Sequence, residues 1–147
     1  MRSDKPALPV IGDVIRYAYL WSHEHAAGRE EGSKDRPAAV VALLRGENGR
    51  DEVVVFPITS TAPVEDGAGI EIPAATRARL GLQSEPCWVV VTEANVFAWP
   101  GPDLRRPETG ENGFVYGSLP HALMATIRQA FAAWRARKGA RTIRRTE

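Results

Sequence analysis

A single cysteine, Cys87, stands in a chain of 147 residues. One thiol excludes an intrachain disulfide and a cysteine-rich zinc site. Beside the apolar WVVV run it reads as a buried, inert side chain. Long hydrophobic runs are also missing: stretches such as AAVVALL are far too short to cross a bilayer. The N-terminal MRSDKPALPV has no extended apolar segment of the signal-peptide kind. A cytoplasmic protein without membrane contact is therefore expected. Internal repeats and extended low-complexity segments are absent as well.

What remains is the composition of an ordinary globular protein, 44% hydrophobic and 25% charged. The length suits one domain, residues 1–147, with a core that needs neither disulfide nor metal. The net charge of +1 conceals an asymmetry. Residues 135–145 carry six basic side chains and no acid, whereas residues 1–134 hold 13 basic and 17 acidic ones. A basic terminus on an acidic body fits either an anionic partner or a solvated helix end. Residues 140–147 are expected to form a flexible basic tail.

Apolar patterning predicts a mainly β chain. Residues 10–18 read as a first strand, with Gly12 allowing close backbone approach. The polar run 19–36, YLWSHEHAAGREEGSKDR, lacks an apolar period and reads as a long loop. Residues 38–45 and 52–58 are β-branched strands of a hairpin. GIEIPAATRARLGL (69–82) predicts a short strand and a helical turn begun by Pro73 and ended by Gly81. Residues 87–94 and 95–100 read as two strands or one bent strand, and FVYG (114–117) as a last one. Residues 99–113 form a proline- and glycine-rich loop. The clearest helix is 118–139, with Ser118 placed to cap it and Gly139 to stop it. Leu123, Ile127, Phe131 and Trp134 recur on one face at helical spacing, as core residues do. Without βαβ alternation, the fold class is a small antiparallel barrel closed by a C-terminal α-helix.

The hairpin carries the chemistry. Asn48–Gly49 is a strong two-residue turn signal. A turn there pairs Arg36 with Thr61, and a longer turn centred on Asn48 pairs it with Ser60. In either register Arg36 lies within one or two residues of Thr59, Ser60 and Thr61. A guanidinium offers phosphate two parallel hydrogen bonds and keeps its charge, and a threonine hydroxyl beside it can donate to another phosphate oxygen. The plainer alternative is a surface ion pair of Arg36 with Asp35, Glu30 or Glu31.

GDVIRYAYLW (12–21), KDRPAAVV (34–41) and VVVFPITST (53–61) occur in an order and register that resemble the MazF/PemK family of toxin endoribonucleases. The motifs are a Gly-Asp first strand, an Arg-Pro opening the second and a Pro-x-Thr closing the third. VTEANVFAW and the Gly-x-Leu before the helix agree, and the likeness spans about residues 10–134. It implies an SH3-like barrel, usually a homodimer, acting as the toxin of a type II toxin–antitoxin system. It also implies a cognate antitoxin protein as partner and metal-independent cleavage of single-stranded RNA by 2′-OH attack on the adjacent phosphate, with no cofactor. Arg36 and Thr59 match the family's catalytic arginine and threonine, and Glu31 an acidic loop position found in some members. Departures are a longer loop before Arg36, carrying SHEH, and the basic tail.

Arg36 is too weak an acid to be a comfortable base, so Glu31 or a loop histidine is the better proton acceptor. His23 and His25 are two residues apart around Glu24; two ligands do not make a metal site, and a role in substrate binding or acid–base chemistry is the alternative. RNA recognition stacks splayed bases on aromatic rings, for which Tyr19, Trp21 and Trp99 are candidates, although packing of each against the barrel is the favoured reading; Ser60 and Thr61 are further substrate contacts. Two other readings stay open. One is a non-catalytic or protein-targeting toxin relative on the same barrel. The other is an AbrB-like DNA-binding hairpin in residues 70–82.

Overall fold

The computed structural model describes residues 8–28, 35–46, 49–83, 85–105, 115–139 and 141–145, except for the side chain of His25. Nine strands and three helices are seen among them: β1 (Asp13–Tyr17), α1 (Ser22–Ala26), β2 (Arg36–Arg45), β3 (Asp51–Thr59), β4 (Gly69–Glu71), α2 (Ala74–Leu80), β5 (Trp88–Val90), β6 (Glu93–Ala98), β7 (Leu104–Arg105), β8 (Val115–Ser118), α3 (His121–Arg137) and β9 (Arg141–Arg144). The sheet runs β4-β5-β3-β2-β1-β7, with β6 beside β3, β8 beside β1 and β9 beside β6. All pairings are antiparallel except β6–β9. This is the expected small antiparallel barrel with its late helix.

β3 is the strand on which the barrel turns. Glu52–Val55 pair with β6, whereas Ile58 and Thr59 pair with β5. Phe56 and Pro57 lie in the gap between these two ladders, where a proline interrupts no rung on that side. On the other side β3 pairs with β2, and an extra residue at Val41 shifts the register between Val40 and Ala42. Such a bulge bends a strand and increases its twist.

The Gly-Asp motif has a structural task. Gly12 sits at φ +101°, donates to Val40 O at 2.8 Å and accepts from Leu119 N. Positive φ is a conformation that glycine adopts without steric cost. The buried Asp13 carboxylate accepts from Val10 N at 2.9 Å and from Ser118 Oγ at 2.7 Å. Ser118 therefore ties β8 to the start of β1 rather than capping α3, which begins at His121 after Pro120 and has no side-chain cap. Of the expected helix stripe, Ile127 and Trp134 are buried and Leu123 and Phe131 pack against the same cluster, joined by Met124. Gly139 follows the helix at φ +76°, as its stop.

Three expectations are revised. First, the loop expected over 19–36 contains α1. Glu24, third in that helix, accepts from Trp21 N at 3.1 Å, half of a capping box. Second, of the three candidate stacking rings Tyr19 and Trp99 are 0% and 2% exposed, so for these two the packing reading holds and the ligand-stacking one falls. Third, within the tail expected to be flexible, residues 141–145 are ordered against the barrel. β9 lies parallel to β6, Ile143 is buried, and Arg145 N donates to Val96 O at 2.8 Å. The Arg145 guanidinium reaches Tyr17 Oη, Ala18 O and Asn95 Oδ1 and pairs with Asp103 at 2.9 Å. A buried charge is tolerated when its donors are met in this way.

Candidate active site

The bulge at Val41 decides how the hairpin presents its ends. Ala38 is level with Pro57, so two residues further on Arg36 comes level with Thr59. The turn expected at Asn48–Gly49 is described only in part; Gly49 has φ +79°, and Gly46 N donates to Arg50 O at 2.7 Å. Arg36, Thr59 and Ser60 line one cleft of about 300 Å³ together with Asp35, Pro37 and Ile58. Gly81, Leu82, Gln83, Cys87 and Tyr116 complete the lining.

Arg36 is half-buried, and its Nε is buried with no hydrogen-bond partner. Its guanidinium carbon lies 5.1 Å from the centre of the Trp21 ring, a cation–π contact. Burial lowers its pKa from the ordinary value; the Glu24 carboxylate and then Tyr19 oppose that shift. Arginine nevertheless stays charged in proteins. The surface pairing with Asp35 is not formed: Asp35 is held by Arg105 at 3.5 Å and Arg16 at 3.7 Å. A buried, unmet donor on a permanent cation calls for an explanation, and a bound anion is one.

Thr59 Oγ1 accepts from Thr61 N at 3.2 Å. That bond occupies a lone pair and leaves the hydroxyl hydrogen for another acceptor. Cys87 is 2% exposed, and burial, opposed by Arg77, raises its pKa, so it lines the cleft as a neutral thiol.

The same arrangement of strands recurs in solved structures. MazF in two crystal forms of the MazE–MazF complex from Deinococcus radiodurans superposes with TM-scores of 0.55 and 0.56. Each is 17% identical in sequence; the matches cover 90% and 88% of this chain and 99% and 98% of the other.

The chain has a MazF-like fold.

No protein-family model and no curated protein matches the sequence. On this MazF-like barrel the structure brings Arg36, Thr59 and Ser60 to one cleft and sets Trp21 under the guanidinium. His23 is exposed and stacks on Trp21, ring centres 6.3 Å apart. Thr61 is exposed past the end of β3 and touches the site through its bond to Thr59. Glu31 lies outside the described residues, and so does the His25 side chain, although its backbone belongs to α1. Among the described residues no three His, Cys, Asp or Glu side chains converge as metal ligands, and no helix is long and apolar enough to cross a membrane.

Sequence reasoning missed Glu24, Gln83 and Tyr116. Glu24 was legible only as the third position of a helical turn, a signal hidden because Trp21, not Ser or Thr, precedes that turn. Gln83 and Tyr116 come from α2's exit and from β8, which no local pattern places beside Arg36. Residues 70–82 supply β4, which pairs with β5, and α2, so they are part of the barrel.

Proposed function

We propose that the chain is the toxin of a type II toxin–antitoxin pair, an endoribonuclease that cuts single-stranded RNA. The observation that carries this reading is the Arg36 guanidinium, its Nε without a hydrogen-bond partner, lining one cleft with Thr59. A phosphodiester seated there receives donors from both. The ribose 2′-oxygen attacks phosphorus, the bond to the 5′-oxygen breaks, and a 2′,3′-cyclic phosphate and a 5′-hydroxyl result. One proton leaves the 2′-OH and one reaches the departing oxygen. Negative charge grows on the non-bridging oxygens, where preorganised donors act most strongly. Arg36 and Thr59 supply that stabilisation; the proton acceptor is Glu31 or a histidine of the same loop.

The partner follows from the same likeness. The neighbouring MazF structures are complexes with MazE, which supports an antitoxin protein as partner of this chain; a homodimer of this chain is part of the same proposal.

Incubating the purified protein with single-stranded RNA in excess EDTA, alongside inducible expression in growing cells, tests the reading. Cleavage in EDTA that yields cyclic phosphate ends supports it. Growth arrest with intact RNA points instead to a protein-targeting toxin. Salt-sensitive binding of duplex DNA without cleavage points to a DNA-binding role.

A further inference from the structure

Among the described residues that line the cleft, Asp35 is the one carboxylate. It directly precedes β2, and its side chain is 27% exposed. On β1 and β7, Arg16 and Arg105 are paired level with each other. Like charges set opposite one another in a sheet repel. The Asp35 carboxylate offsets that repulsion, with Arg105 Nε at 3.5 Å and Arg16 Nη2 at 3.7 Å. Arg105 is itself anchored, since its Nη1 donates to Pro102 O at 2.7 Å and to Leu104 O at 2.9 Å.

Both contacts to Asp35 are longer than an N–H···O hydrogen bond. Two cations thus hold the carboxylate in place by charge, and no hydrogen bond reaches its oxygens among the described residues. An ionised carboxylate only accepts, and it has about four lone-pair positions to do so. The oxygens of a bound phosphate would repel it. A sugar hydroxyl would donate to it, and each phosphate of RNA has a ribose on either side. The 2′-hydroxyl is the group by which a protein tells RNA from DNA at a given place. Carboxylates hold ribose hydroxyls in this manner in dinucleotide-binding folds.

We propose that Asp35 is the ribose-reading residue of the cleft, accepting a hydrogen bond from a 2′-hydroxyl next to the phosphate held by Arg36 and Thr59. The assignment rests on the RNA reading above, yet its test is independent of cleavage. The full chain is titrated calorimetrically with uridine 5′-monophosphate, uridine 3′-monophosphate and the 2′-deoxy counterpart of each. Base and phosphate are then the same within a pair. In at least one pair the ribonucleotide should bind roughly fivefold or more tighter, as one hydrogen bond to a charged acceptor allows. Asp35→Ala should bring that ratio to about one. The variant also removes the counter-charge of Arg16 and Arg105, which strengthens phosphate binding for both members of a pair and leaves the ratio untouched. Asp35→Asn keeps the shape with a neutral acceptor and should give a ratio between those two. A difference in the 5′ pair places Asp35 beside the ribose of the departing oxygen, and one in the 3′ pair beside the attacking ribose.

Equal binding within both pairs, or a ratio that survives Asp35→Ala, overturns the assignment; RNA still cleaved by that protein would leave the nuclease reading standing without it. No binding by any of the four overturns it as well, and RNA left intact in the same preparation would then sink the nuclease reading too.

Discussion

At the scale of single residues, the site depends on what supports Arg36. Its guanidinium rests on Trp21, and the turn that carries Trp21 is closed by Glu24. Trp21→Ala removes the aromatic face and, at about 0.5–2 kcal/mol for such a contact, should slow RNA cleavage roughly 2- to 30-fold without abolishing it. Single-turnover rates would show this; an unchanged rate would mean that the ring merely fills space. A second residue gives a pH signature. Tyr19 Oη donates to Glu93 Oε1 at 3.3 Å, and burial, then Glu93, raises its pKa well above 10.0. A folded pKa above the unfolded one gives stability that is complete below the unfolded value and is lost as pH rises towards the folded one. Urea midpoints should therefore fall above about pH 10 in the wild type and fall less steeply in Tyr19→Phe. Parallel declines would contradict the shift.

At the scale of elements, β9 closes the molecule. Arg145, with its side chain 2% exposed, joins the end of β1, Asn95 and Asp103. Arg145→Ala would strand Asp103 and the carbonyl of Ala18, and removing one partner of such a buried pair costs about 3–5 kcal/mol. Equilibrium urea denaturation should report that loss, and a cost below about 1 kcal/mol would show that β9 is only loosely held. The same strand marks what the sequence could not reveal. RTIRR has one apolar residue, Ile143, and its arginines look solvated until the acidic and carbonyl partners converge from distant positions. The hairpin was legible because β-branched runs and a glycine turn are local signals. The longer turn centred on Asn48 gives the register seen from Ala42 to Arg45, but the one-residue shift beyond it was not legible, since a bulge at Val41 leaves no mark in the residue types. Continued two residues beyond the last pair, Ala38 with Pro57, the shifted register sets Arg36 level with Thr59 rather than with Ser60. The helical stripe of α3 was legible from spacing. Its start was misplaced because Ser118 is drawn to Asp13 across 105 positions in sequence.

At the scale of the whole molecule, the basic terminus is largely committed to the acidic body. Lys138 pairs with Glu65 at 3.1 Å, Arg144 with Glu52 at 2.7 Å and Arg145 with Asp103. Arg137 Nη2 donates to Asp66 O at 3.2 Å. The charge asymmetry of the sequence is thus an internal complementarity as much as a field for an external anion. Leu8, Val10 and Ile11, by contrast, leave apolar side chains 40%, 60% and 49% exposed in one short stretch. Contiguous exposed apolar surface marks an association site. The proposed homodimer predicts a light-scattering mass of twice the 16.1 kDa chain, lowered by Ile11→Lys if this stretch lies in the interface. A wild-type monomer would remove the dimer from the account.

The central claim is that Arg36 and Thr59 act together on one phosphate. It is tested most directly by the single-turnover rate of RNA cleavage in Arg36→Ala, Thr59→Ala and the double variant, each confirmed folded by its urea midpoint. Each single change should cost on the order of 10²-fold or more, and the double variant should lose much less than the product of the two. Cleavage at the wild-type rate in Arg36→Ala would contradict the claim.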